Sequence, residues 1–134
     1  MRNKNILSIL WLFLTVNFIF CDVFTLMHSQ DLKNLLSGNV DGMKITQEFL
    51  LSFAIMMEIP MIMIVLSKVL KFKINRILNM VFALIMGIIQ IWSLGVGNIT
   101  LHYTFFSIVE IATCLIIFFY AYKWKNNDLN VENE

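Results

Sequence analysis

Four long apolar runs, separated by short polar interruptions, dominate the hydropathy pattern of the chain. Windows of about 20 residues centre them near 6–27, 48–70, 77–97 and 101–122. Each is long enough to cross a hydrocarbon core of roughly 30 Å as a helix. No run alternates apolar and polar residues with a period of two, so helices are the spanning solution the pattern supports. The expected fold class is all-α: a four-transmembrane-helix bundle in a single domain, 1–134, with 125–134 as a flexible polar tail. Arg2 and Lys4 ahead of the first run resemble a signal peptide. Phe18 and Phe20 stand where cleavage needs small residues, so the run is read as a retained helix.

The connections refine this outline. Eight basic residues (Arg2, Lys4, Lys68, Lys71, Lys73, Arg76, Lys123, Lys125) of the ten fall on one side of the spans, and only Lys33 and Lys44 on the other. The positive-inside rule puts both termini and the 71–76 loop in the cytoplasm. Tyr120, Tyr122 and Trp124 fit an aromatic belt at that interface. The long outer loop, "HSQDLKNLLSGNVDGMKITQ", predicts a short amphipathic helix capped by Ser29, with Leu32, Leu35 and Leu36 on one face and Gly38 at its end. It reads as a lid on the outer surface. The connection from Gly97 to Thr100 is so short that the third and fourth spans must be antiparallel neighbours. Asn98-Ile99-Thr100 matches a glycosylation sequon but hugs the membrane, and is discounted.

Composition agrees with lipid as the solvent. Apolar residues make up 59% and charged residues 14% of the 134, against roughly 45–50% and 25% for soluble domains. The net charge of +1 offers no basic face for nucleic acid. Cys21 and Cys114 form no CxxC, lie at depths differing by about 10 Å, and read as buried thiols. No cofactor or metal set is expected. His102 reads as an interfacial residue, and no P-loop, GxSxG or HExxH occurs.

Polar residues inside the spans carry most of the remaining information, because burying them in lipid is expensive. Counting inward at about 1.5 Å per residue, Glu58, Glu110 and Asn17 come near the midplane, Gln90 at about 10 Å, and Asp22 nearer the outer surface. Stripes at helical spacing collect Asn17, Cys21, Thr25 and His28 on span one, and Tyr103, Ser107, Glu110 and Cys114 on span four. On span three, Ala83, Gly87, Gln90, Ser93 and Gly97 form a small-residue face that should pack inward. Span two offers Ala54, Glu58 and Met61–Ile62, with Pro60 expected to kink the helix.

No Lys or Arg lies deep in any span, and an ionised acid at the midplane costs roughly 2.5–3.5 kcal/mol. At least one of Glu58 and Glu110 is therefore expected to carry a proton. Three arrangements are open: a hydrogen bond to Gln90, Asn17 or Ser107, a proton shared by the two acids, or hydration in an outward cavity. The competing structural reading makes these side chains interhelical hydrogen-bond glue. It suits Gln90, Asn17 and Ser107 better than the glutamates, since a glutamine would serve as glue without the risk of ionisation.

"CDV" (21–23), "MEIPM" (57–61), "LSKVLKFKINRILN" (66–79) and "FFSIVEI" (105–111) together resemble an uncharacterised bacterial domain-of-unknown-function family of small four-helix membrane proteins, more loosely similar to DoxX-like proteins. The resemblance implies a four-helix membrane fold in a bacterial inner membrane and carries over no catalytic residue. Its DoxX side would imply a partner subunit in membrane redox chemistry. Small multidrug transporters match poorly, because their essential glutamate belongs to the first helix. The reading that results is a multi-pass membrane protein binding a proton and a small cationic or lipophilic ligand at Glu58, Glu110, Gln90, Asn17 and Asp22, in a pocket between spans one, two and four. The alternative is a non-catalytic subunit or homo-oligomer whose small-residue face on span three docks a partner. An intramembrane enzyme is disfavoured for want of a nucleophile or metal set.

Overall fold

The structure, a computed structural model, describes residues 2–40, 42–96 and 99–125. Helix α1 runs Arg2–Met27, α2 Ser29–Leu36, α3 Gln47–Val69, α4 Phe72–Leu94 and α5 Leu101–Lys123, with a two-stranded hairpin, β1 Asn39–Val40 and β2 Met43–Lys44, between α2 and α3. The four long helices are each apolar enough to cross a membrane. Residues 126–134 of the expected 125–134 tail lie outside the described residues, as do Gly97 and the sequon's Asn98.

α4 starts at Phe72 rather than near 77 and stops at Leu94. A hydropathy window starts where the charges stop, whereas a helix carries Lys73 and Arg76 through its first turns without penalty at a wet interface. In the long connection, His28 takes the cap position and Ser29 is the first helical residue. Gly38 then turns the chain with φ 78°, a left-handed conformation that suits glycine. The hairpin pairs Asn39 with Lys44 and Val40 with Met43. Its sequence signal, Asp41-Gly42 between two apolar residues, is a strong hairpin cue that the helical reading of this loop passed over.

The helices stand in the order α3, α1, α5, α4, each packed on the next, while α3 barely meets α4. Hydrogen bonds joining α3 to α4 lie beside the Leu70–Lys71 turn, from Asn75 Nδ2 to the Ser67 carbonyl (2.6 Å) and from Ser67 Oγ to Asn79 Oδ1 (3.2 Å). At that same terminal end Trp11 Nε1 donates to Asn79 Oδ1 (2.7 Å), and Asn79 Nδ2 donates to Asn75 Oδ1 (2.6 Å). Ser8 Oγ adds a bond to the Ile64 carbonyl (2.8 Å). Leu7, Leu14, Met63, Ile117 and Ala121 fill the core around this network. Tyr120 Oη donates to Asn3 Oδ1 at 2.8 Å, and the Trp124 ring meets Phe72 edge-on, at the end where α1 begins and α5 ends. The interior of the terminal half is therefore filled, with a shallow groove of about 470 Å3 beside Asn3, Tyr120 and Trp124 on its outside. The half toward the hairpin is where the bundle opens between α3 and α4.

Candidate functional site

The opening follows from the packing order. Because α3 leans on α1 and α4 on α5, the hairpin-side halves of α3 and α4 part. A cavity of about 360 Å3 fills the space between all four long helices, roofed by Val40 and Met43 of the hairpin. This lies within the roughly 300–1,000 Å3 range of small-molecule sites.

Glu110 on α5 marks its floor, about 14 Å from the start of that helix. The residue is 1% exposed, and neither carboxyl oxygen has a hydrogen-bond partner among the described residues. Buried polar atoms are nearly always partnered, so two orphaned oxygens on one acid call for an explanation. Asp22 of α1 lines the same cavity and lies near enough to interact electrostatically with Glu110. Gln90 of α4 completes the polar lining, its Nε2 donating to Ser107 Oγ at 2.8 Å. Ser93 Oγ accepts from Tyr103 Oη (2.7 Å) and donates to the Gln90 carbonyl (2.8 Å), tying α4 to α5 along the wall. Elsewhere the wall is apolar and rich in aromatic and thioether groups, with Phe18, Phe49, Phe53, Met56, Met57 and Met86 beside Cys21, Ile89 and Val96. No Lys or Arg lines it.

The structure thus brings together three of the five candidate residues, Glu110, Asp22 and Gln90. Asn17 is half-buried and donates to the Phe13 carbonyl of its own helix at 3.0 Å, away from the cavity lining. Glu58 is exposed on the outer side of α3. α3 turns Pro60, Met63 and Ser67 inward, and Glu58, two residues before Pro60, falls about 160° away from it. The stripe of Ala54, Glu58, Met61 and Ile62 therefore looks outward as a whole. Of the three open arrangements, a proton shared by Glu58 and Glu110 is the one this placement does not provide, since Glu58 is exposed on α3 and Glu110 is buried on α5. Their equal depth was legible in the sequence; the rotation of α3 was not, because that helix has apolar residues on every side.

Two other stripes do face inward. Ser107, Glu110 and Cys114 are buried on α5, and Ala83 and Gln90 on α4. A Cβ built on Gly87 would lie 3.5 Å from Cys114 Cβ, so this part of the small-residue face packs on α5. Ala83 and Gly87 also line an apolar groove of about 180 Å3 between the two helices. The aromatic and methionine lining was missed as a site, since aromatic and methionine residues recur on all faces of these helices. The network around Asn79 had a cue, two asparagines four residues apart opposite a tryptophan.

A family model covers residues 1–131 and is described as a family of unknown function (DUF6326). The chain belongs to this family. No curated protein and no solved structure matches it. Nothing in these comparisons supports the DoxX-like relation or a bacterial source. The functional argument for this DUF6326 member therefore rests on its cavity.

Proposed function

We propose that the cavity is a binding site for a small lipophilic cation, with Glu110 as its counter-ion and as the group that holds a proton when the cation is absent. The observation that carries this reading is the buried Glu110 carboxyl, with both oxygens unpartnered among the described residues, at the floor of a cavity that a second acid also lines. An ionised acid there needs a positive partner, and neutral glue would have left hydrogen bonds in place. Aromatic faces attract organic cations, and methionines adapt to varied apolar shapes. Asp22 and Gln90 would hold the ligand's outer part, Asp22 adding negative potential on the approach.

The basic residues gather at the terminal end of the bundle, which by the positive-inside rule supports a cytoplasmic position for that end and an outward cavity mouth. The parted halves of α3 and α4 then face the outer leaflet. The protein would sit in a plasma membrane, the inner one in a bacterium. A second reading is a subunit that assembles with a membrane partner or with itself, and the apolar groove beside Ala83 and Gly87 on the small-residue face of α4 favours it.

The test uses benzyltrimethylammonium as probe and neopentylbenzene, its uncharged isostere, on the protein in lipid nanodiscs. The charged probe should bind and release a proton, bind more weakly as the medium is acidified, and lose at least tenfold in affinity in Glu110→Gln. Equal binding of the isostere, or binding indifferent to Glu110→Gln, overturns the reading.

A further inference from the structure

Every membrane helix leaves one face uncovered by the rest of the bundle. On α4 that face runs Ile74, Ile77, Val81, Leu84, Ile88 and Ile91, all exposed and all apolar. On α5 it runs through Leu101, Phe105, Ile108, Leu115 and Phe119, again without a polar atom in the side chains. These are ordinary lipid-facing surfaces. On α1 the half-buried Asn17 is satisfied by its own backbone.

α3 differs. Its uncovered face runs Leu51, Ile55, Glu58, Ile62, Val65 and Val69, exposed throughout, with a carboxyl in the middle. Glu58 stands midway between Gln47 and Val69, farther from either membrane surface than its side chain can reach. Among the described residues it has no hydrogen-bond or ion-pair partner. α3 is also the least covered helix: 11% of its apolar window is buried, against 39%, 28% and 33% for α1, α4 and α5.

We propose that this face of α3 docks against the same face of a second copy of the chain, Glu58 opposing Glu58 across a two-fold axis along the membrane normal. A protonated carboxyl carries one donor and one acceptor, so it is complementary to a copy of itself. A two-fold axis in that direction keeps both copies in the same orientation and brings the two acids to equal depth without adjustment. Such an isologous contact uses one patch twice and needs no other protein. The alternation of four and three residues is the spacing of a left-handed packing seam, in which a single polar position sets register and partner number. Apolar surface does not drive helices together in lipid, whereas a buried polar pair does. The contact is independent of the cavity, because Met56 and Met57 face the cavity and Glu58 faces away from it.

Energy transfer between donor- and acceptor-labelled copies in liposomes, followed as lipid dilutes the protein, reads the association. Wild type should exceed random proximity. Glu58→Gln, which keeps both donor and acceptor, should retain it; Glu58→Leu should weaken it at least tenfold; and Ile88→Ala on α4 should change nothing. In a Cys21→Ser, Cys114→Ala background, mild oxidation should cross-link Ile62→Cys, on the same face with Glu58 retained, and leave Ile88→Cys single. Random transfer in wild type, undiminished transfer in Glu58→Leu, or equal cross-linking at 62 and 88 overturns the proposal. Benzyltrimethylammonium binding by Glu58→Leu should persist, so failure of this contact and failure of the cavity reading are told apart.

Discussion

Asn79 and Glu110 are both buried polar side chains on inward faces, and they stand in opposite conditions. Asn79 accepts from Trp11 and Ser67 and donates to Asn75, so each of its polar atoms is used. Asn79→Leu should strand the Trp11 N–H and the Asn75 carboxamide oxygen, lowering stability by about 1–3 kcal/mol, read by denaturant titration in micelles. Glu110 has no partner to lose. Glu110→Leu should leave stability unchanged or raise it, since replacing an unpartnered buried acid with an apolar side chain removes a desolvation cost. A loss above about 1 kcal/mol in that variant would mean Glu110 is structural glue after all. At this scale the sequence was informative where a polar residue broke an apolar run, which singled out Glu110, Asp22 and Gln90. It was mute on rotation, which sent Glu58 outward, and on partnership, which separates Asn79 from Glu110.

At the scale of elements, the number and class of helices were readable because lipid demands long apolar segments. Ends and neighbours were less so, since charged turns extend helices past the apolar window, as α4 shows. The pair α4 and α5 is the best-packed unit, and Gly87 lies at its closest approach. Gly87→Ala should be neutral or stabilising by up to about 1 kcal/mol, because the added methyl meets Cys114 at an ordinary 3.5 Å and alanine suits a helix better. Gly87→Leu should push the helices apart and cost about 1–3 kcal/mol. Melting curves of the two variants against wild type separate these effects. α3 stands at the other extreme. From Gln47 to Ile55 all but one of its residues are exposed, α3 packs chiefly on α1, and Phe49 and Phe53 line the cavity. Backbone amides in that half should exchange with deuterium faster than those of α5 at equal depth, because few contacts hold the segment shut. Equal protection of the two segments would contradict the parting of α3 from α4.

Across the whole molecule the two ends of the bundle differ in kind. One end is closed by the bonded set of Trp11, Ser67, Asn75 and Asn79 together with Trp124, all at most 2% exposed. The other holds the cavity, with its acids at two levels and only the hairpin above. A polar site that is deep, open at one end and shut at the other is a pocket, and a path across the membrane would need the bonded set to come apart. Single cysteines test this directly in a Cys21→Ser, Cys114→Ala background reconstituted in sided vesicles. Phe53→Cys and Gln90→Cys, on the cavity wall, should react with a charged thiol reagent added to the hairpin side and not with reagent on the terminal side. Benzyltrimethylammonium should slow the reaction at both. Ser67→Cys, inside the bonded set, should stay unmodified from either side. Labelling of Ser67→Cys from the terminal side, with the cavity cysteines following, would show a continuous path and turn the pocket into one stage of a transport route.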